Sequence, residues 1–132
     1  MTEKKYKLHL LEDKFCISKL PLFEDVPKIF SKGEMVFTMR TDEELSIISP
    51  EFMAPTNVQQ EIGYRCFRVD GQLSFQEVGV VATLTKCLAE VNISVFVIST
   101  FNTDYIFFRE EHLLKAVKAL QQAGHEFIHK EQ

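Results

Sequence analysis

The residues whose types and spacing suggest chemistry are two carboxylates, Glu77 and Asp104, and a nearby glycine, Gly79. Asp104 closes the polar stretch Ser99-Thr-Phe-Asn-Thr-Asp104, which separates the apolar runs 93–98 and 105–108. A tight hairpin needs only two turn residues, typically with glycine. This stretch has no glycine and carries an aromatic ring, Phe101, at its centre. It is a candidate for a binding segment. Glu77 belongs to Ser74-Phe-Gln-Glu77, whose spacing is that of a capping box. The helix start so marked carries orphan amides and partial positive charge, suited to a carboxylate. Gly79 lets a ligand come close, at a cost of about 1 kcal/mol inside a helix. Amides that attract an anion, beside carboxylates that attract an amine or guanidinium, describe a zwitterion site. The plainer alternative is that Glu77 only completes its capping box and Asp104 only supports a turn.

Other reactive residues carry less. His125-Glu-Phe-Ile-His129 matches the H-E-x-x-H zinc signature, which works only on a helix. Gly124 should end the preceding helix, and on a strand the two rings would stand about 13 Å apart. No metal and no cofactor is therefore expected. Cys87 falls in a predicted helix and Cys66 in a predicted strand, where buried thiols are common. No nucleophile–base pair and no phosphate loop is evident, so an enzyme is not expected.

The elements that must position these residues are clearest in the second half. Residues 64–70 alternate as a strand and end in Asp70-Gly71. A helix over 74–91 follows, with Val78, Val81, Leu84, Leu88 and Val91 on one stripe and Asn92 as its stop. Strands at 93–99 and 105–109, a helix at 110–122 capped by Gly124, and a last short strand at 125–129 complete the set. The order β-α-β-β-α-β is the ferredoxin-like arrangement. It predicts strands 64–70 and 93–99 as parallel neighbours, with their ends beside the start of helix 74–91.

The first half repeats the second imperfectly. Shifted by 59 residues, 34–48 lies over 93–107 and 5–11 over 64–70, with Val36, Phe37, Thr41 and Ile47 meeting identical residues. Pro21 and Pro27 oppose a helix there, so a strand at 15–20 and a turn near 25–31 are expected in its place. Residues 50–63 read as a linker. The reading is α+β: two ferredoxin-like units in tandem, 1–60 degenerate and 61–132 complete.

Composition narrows the function. Net charge is −4, and the one basic cluster, Lys4, Lys5 and Lys7, is diluted by Glu3; nucleic-acid binders need a concentrated basic face. No run approaches the roughly 18 apolar residues of a membrane span. The charged N-terminus lacks a signal core and the three cysteines lack metal spacing, so a cytoplasmic protein with reduced thiols is expected. Strands 93–99 and 105–108 are apolar on both faces, which predicts burial of the second face by the first half or by a second chain. A homodimer is expected.

Phe75-Gln-Glu-Val-Gly-Val-Val-Ala82 with Leu88-Ala, Ile93-Ser-Val-Phe-Val-Ile-Ser-Thr-Phe-Asn-Thr-Asp-Tyr105, and Asp42-Glu-Glu-Leu-Ser-Ile-Ile-Ser-Pro-Glu51 carry a resemblance. Together these stretches resemble ACT-domain proteins, specifically the small paired-ACT family that includes the cytosolic arginine sensors of animals. The resemblance implies ACT-type βαββαβ units and a non-enzymatic amino-acid-binding regulatory or sensor module. It implies ligand contacts at Glu77, Gly79, Thr100, Phe101 and Asp104; the flanking Val78, Val80 and Ser99 complete the candidate set. The chain holds one pair of such units where the animal sensors hold two, so a complete pocket is expected to need two chains. The alternative function is a dimerisation or protein-interaction module with no small-molecule ligand.

Overall fold

The computed structural model describes residues 4–71 and 78–128. In chain order the elements are β1 (Lys7–Leu10), β2 (Phe15–Leu20), a 3-10 turn (Lys28–Lys32), β3 (Phe37–Arg40), β4 (Leu45–Pro50) and a second 3-10 turn (Glu51–Met53). There follow β5 (Gln59–Val69), α1 (Val80–Ala89), β6 (Val95–Ser99), β7 (Asp104–Arg109), a third 3-10 turn (Glu110–His112), α2 (Leu113–Gln122) and β8 (Glu126–Phe127). The fold is mixed α+β. The chain forms two compact units, Met1–Glu12 with Arg65–Gln132, and Asp13–Tyr64.

The discontinuous unit orders its strands β6-β7-β5-β1-β8. The sequence reading made strands 64–70 and 93–99 parallel neighbours; the structure corrects this, because β7 lies between them. The order β6-β7-β5 is that of a plain ferredoxin-like unit, and the one departure is strand β1, inserted between β5 and β8. It runs antiparallel to β5, Leu8 opposite Val69, and parallel to β8, Leu8 opposite Phe127. The reason is apolar: Leu8 is fully buried in the core of this unit. Residues before Asp13 therefore group with the later unit, rather than with 13–60. Side chains alternate between sheet faces. Leu8, Phe67, Val69, Ile106 and Phe108 line the core face, against Val80, Leu84 and Leu88 of α1 and Ala116 and Leu120 of α2. Complete burial of one such leucine stabilises by about 1.5–3 kcal/mol.

Both helices stop the same way, on a residue with positive φ that lets the last carbonyls find amides. Asn92 (φ 64) donates to the Ala89 carbonyl and Ile93 to that of Leu88. Gly124 (φ 96) donates to the Gln121 carbonyl and His125 to that of Leu120. The first reversal turns the chain from α1 into β6, so α1 begins at the edge of the sheet where β6 ends.

The Asp13–Tyr64 unit orders its strands β3-β4-β2-β5. Numbered within the unit, that is second, third, first, fourth. The first strand stands at 15–20, as the prolines predicted, and a 3-10 turn supplies Phe30 where a helix would stand. Phe30 packs with Leu20, Leu45 and Ile47. Residues 59–63 are strand, not linker. Gly63 (φ 83) sits inside β5 where the β2–β5 register shifts, and its amide donates to Glu51 Oε2 at 2.6 Å. A glycine with positive φ at an irregularity of this kind marks a bulge.

Candidate functional site

The hairpin that carries the polar loop is tightly specified. β6 and β7 pair antiparallel from Val95 opposite Phe108 to Ser99 opposite Asp104. The loop closes on itself: the Thr100 amide donates to the Thr103 carbonyl at 2.9 Å, and the Thr100 hydroxyl donates to the same carbonyl at 3.0 Å. Thr103, 6 % exposed, donates its hydroxyl to the Val69 carbonyl at 2.8 Å. That bond fixes the loop beside the C-terminal end of β5. Sequence reading missed Thr103. The signal was the Thr-x-x-Thr spacing, in which one hydroxyl closes a turn and the other is free to reach a neighbouring strand.

Strand alternation then sets which face the candidate side chains take. Val95, Val97 and Ser99 share one face of β6, and Asp104, Ile106 and Phe108 share one face of β7. Val95, Val97, Ile106 and Phe108 belong to the core against the helices. Ser99 and Asp104 therefore lie on the helix-covered face, at the sheet edge where α1 begins. The Ser99 hydroxyl donates to Asp104 Oδ1 at 2.5 Å. Phe101 stands at the loop tip, 70 % exposed.

The helix start differs from the sequence expectation. α1 begins at Val80, not at 74, with Gly79 as its N-cap at φ 84. Glu77 and the capping box Ser74–Glu77 lie outside the described residues. Gly79 has no side chain with which to cap this helix, and the backbone bond at its start runs from the Thr83 amide to the Gly79 carbonyl at 2.8 Å. Val78 precedes the helix and is 90 % exposed, so it is not part of the apolar stripe. Val80 heads that stripe; its side chain is 5 % exposed and belongs to the core, which leaves only its backbone amide for a ligand. The left-handed Gly79 makes this possible, because it turns the chain into the helix without a side chain over the first amides.

The remaining reactive groups have structural settings. His125 accepts the Tyr6 amide on Nδ1 at 3.1 Å and stacks on the Tyr6 ring, immediately before β8. His129 lies outside the described residues. Among the described residues no three His, Cys, Asp or Glu side chains gather as metal ligands do. Cys66 is fully buried, and that burial pushes its thiol pKa up. Cys87 donates to the Ala119 carbonyl at 3.3 Å. Among the described residues no helix is long and apolar enough to cross a membrane. On the second face of the sheet, Phe107 is fully buried within the single chain and stacks on Phe96, with ring centroids 4.7 Å apart.

Comparison with known proteins agrees with this fold. Residues 59–122 match the model of an ACT domain. The mouse protein named cytosolic arginine sensor for mTORC1 subunit 1 is 34% identical over 94 residues, which cover 70% of this chain and 28% of that protein. The chain thus matches little more than a quarter of that relative's length. Protein Atu0741 from Agrobacterium tumefaciens superposes with a TM-score of 0.89 at 32% identity, covering 98% of this chain and 97% of that one. The regulatory subunit of aspartate kinase from Thermus thermophilus shares the fold, with a TM-score of 0.59 at 13% identity over 89% of this chain and 97% of that one. The chain belongs to the ACT-domain family and is similar to the cytosolic arginine sensors.

Proposed function

We propose that this chain is a non-enzymatic amino-acid-binding regulatory module built from two ACT-like units in tandem, the first degenerate. The amino acid is held at the edge formed by the start of α1 and the 99–104 loop. Its carboxylate meets the amides that follow Gly79, and its amine or side-chain cation meets Asp104, with Glu77 as the second acid. Ser99 and Thr100 orient the loop, while Phe101 and Val78 cover the ligand's apolar stem. The observation that carries this reading is the register of one hairpin. Ser99 pairs with Asp104 at the loop end of the hairpin, and α1 begins at Val80 after a left-handed Gly79; both support the reading. The relative named an arginine sensor supports an amino acid as ligand. A cytoplasmic homodimer completes the reading, each chain closing the other's site.

The Ser99–Asp104 hydrogen bond also favours a second reading, in which Asp104 serves the turn and the module only dimerises or binds a protein. A thermal-shift panel of the twenty amino acids separates the two. A ligand at 100 times its dissociation constant adds about 2.7 kcal/mol of stability. One or a few clear shifts support the sensor; a flat panel supports the interaction module.

A further inference from the structure

The Asp13–Tyr64 unit contains a second hairpin with the same register. Phe37 pairs with Ile48 and Arg40 with Leu45, each 59 residues before Phe96 with Phe107 and Ser99 with Asp104. Its loop closes in the same way, the Thr41 amide donating to the Glu44 carbonyl at 2.9 Å. Arg40 therefore stands where Ser99 stands in the other hairpin. Being paired with Leu45, it shares the face of Leu45 and Ile47, the face on which Phe30 packs. From there both terminal nitrogens of its guanidinium reach the segment that follows the unit's first strand. Nη1 donates to the Leu22 carbonyl at 2.6 Å and Nη2 to the Glu24 carbonyl at 2.7 Å. The segment is itself a closed turn, the Glu24 amide donating to the Pro21 carbonyl at 3.0 Å. It also carries the carboxylates of Glu24 and Asp25.

We infer that Arg40 is a tethered ligand: its guanidinium occupies a cation site made by the Leu22 and Glu24 carbonyls, and an emptied site takes a free guanidinium ion. Two carbonyls spaced to meet both prongs of one planar fork select a guanidinium over an ammonium, which presents its donors as a point charge. The tether holds the turn at 21–24 closed and denies this edge to molecules from outside. Joined to the proposed function, it leaves one amino-acid site per chain, at the β6–β7 hairpin. The cation site itself does not rest on that function.

Chemical rescue tests it. Arg40→Ala should melt several degrees below the natural protein, and amides at 22–26 should exchange hydrogen faster. Millimolar methylguanidinium should restore at least half of the lost degrees and slow that exchange. It should leave the natural protein unchanged, and methylammonium should rescue neither property. Should Arg40→Ala fail to fold, Arg40→Gln keeps part of the stem and one donor amide and carries the same test. Equal effects of methylguanidinium on variant and natural protein would overturn the inference. So would rescue by methylammonium as good as by methylguanidinium, or exchange at 22–26 that the substitution does not change.

Discussion

The β3–β4 and β6–β7 hairpins are two versions of one object with different chemistry. Their registers agree pair for pair at a spacing of 59 residues, and each loop is closed by a threonine at its first position. Four differences bear on their chemistry, three of them edge positions of the hairpins. Ser99 and Asp104 face each other on one hairpin, Arg40 and the buried Leu45 on the other. Thr103 reaches into the core, while its counterpart Glu44 accepts the hydroxyl of Ser46 at 3.1 Å. The fourth difference lies outside the hairpins, where one unit has the helix α1 and the other a short turn with Phe30. Backbone pairing and the buried face make a hairpin; a few edge side chains set the chemistry that its loop end presents.

The largest effects should test the shared part. Phe107 and its counterpart Ile48 are both fully buried. Phe107→Ala should cost about 3–5 kcal/mol and Ile48→Ala about 2–5 kcal/mol in denaturant unfolding. A cost under about 1 kcal/mol for either would mean that the two hairpins do not share a buried face. Smaller effects should test the difference. Thr103→Val removes a buried donor to the Val69 carbonyl and should cost about 1–3 kcal/mol. Glu44→Ala should stay within about 0.5 kcal/mol. Equal costs would remove the distinction between a loop pinned to the core and one that is not.

Gly79 comes next. Its φ of 84 is the left-handed region, where a side chain costs about 1–2 kcal/mol. Gly79→Ala should lower stability by that amount, read from the urea midpoint; no loss would show that the chain enters α1 in another conformation. The smallest effect is a pH dependence. Burial raises the Cys66 thiol pKa above its unfolded value, so the folded state keeps its proton longer. That contribution is fully present below about pH 8.5, the ordinary thiol pKa, and is lost as pH rises further. Melting temperature should therefore fall more steeply above that pH in the natural protein than in Cys66→Ala; parallel curves would place the thiol in contact with water.

Much of this was legible in the sequence because periodicity and turn chemistry are local. The 59-residue shift located both hairpins, since apolar alternation and the Thr-initiated loop repeat in register. Pro21 and Pro27 told that no helix follows β2, and Asn92 and Gly124 marked both helix ends. What was not legible depends on distant partners. The same shift laid β1 over β5, but the strand order makes β2 the counterpart of β5 and inserts β1 between β5 and β8. Four residues such as KLHL carry too little pattern to say which edge they join. The start of α1 was misplaced because a left-handed glycine interrupts an apolar stripe without changing its spacing. Val80 and Val78 exchange their expected roles for that reason, one buried and one exposed. Thr103 and Arg40 escaped notice because their hydrogen bonds span 34 and 18 residues of sequence, respectively.

The central claim is that the β6–β7 hairpin edge holds an amino acid through Asp104. Titration calorimetry of the natural protein and Asp104→Asn, with the amino acid that shifts the melting temperature most, tests it most directly. The amide oxygen of asparagine can still accept the Ser99 hydroxyl, so the fold should persist. Loss of a charge-assisted hydrogen bond of roughly 1.5–3 kcal/mol predicts affinity weakened by about 10- to 150-fold at a nearly unchanged melting temperature. Unchanged affinity with a melting temperature several degrees lower would contradict the claim and make Asp104 a support of its turn.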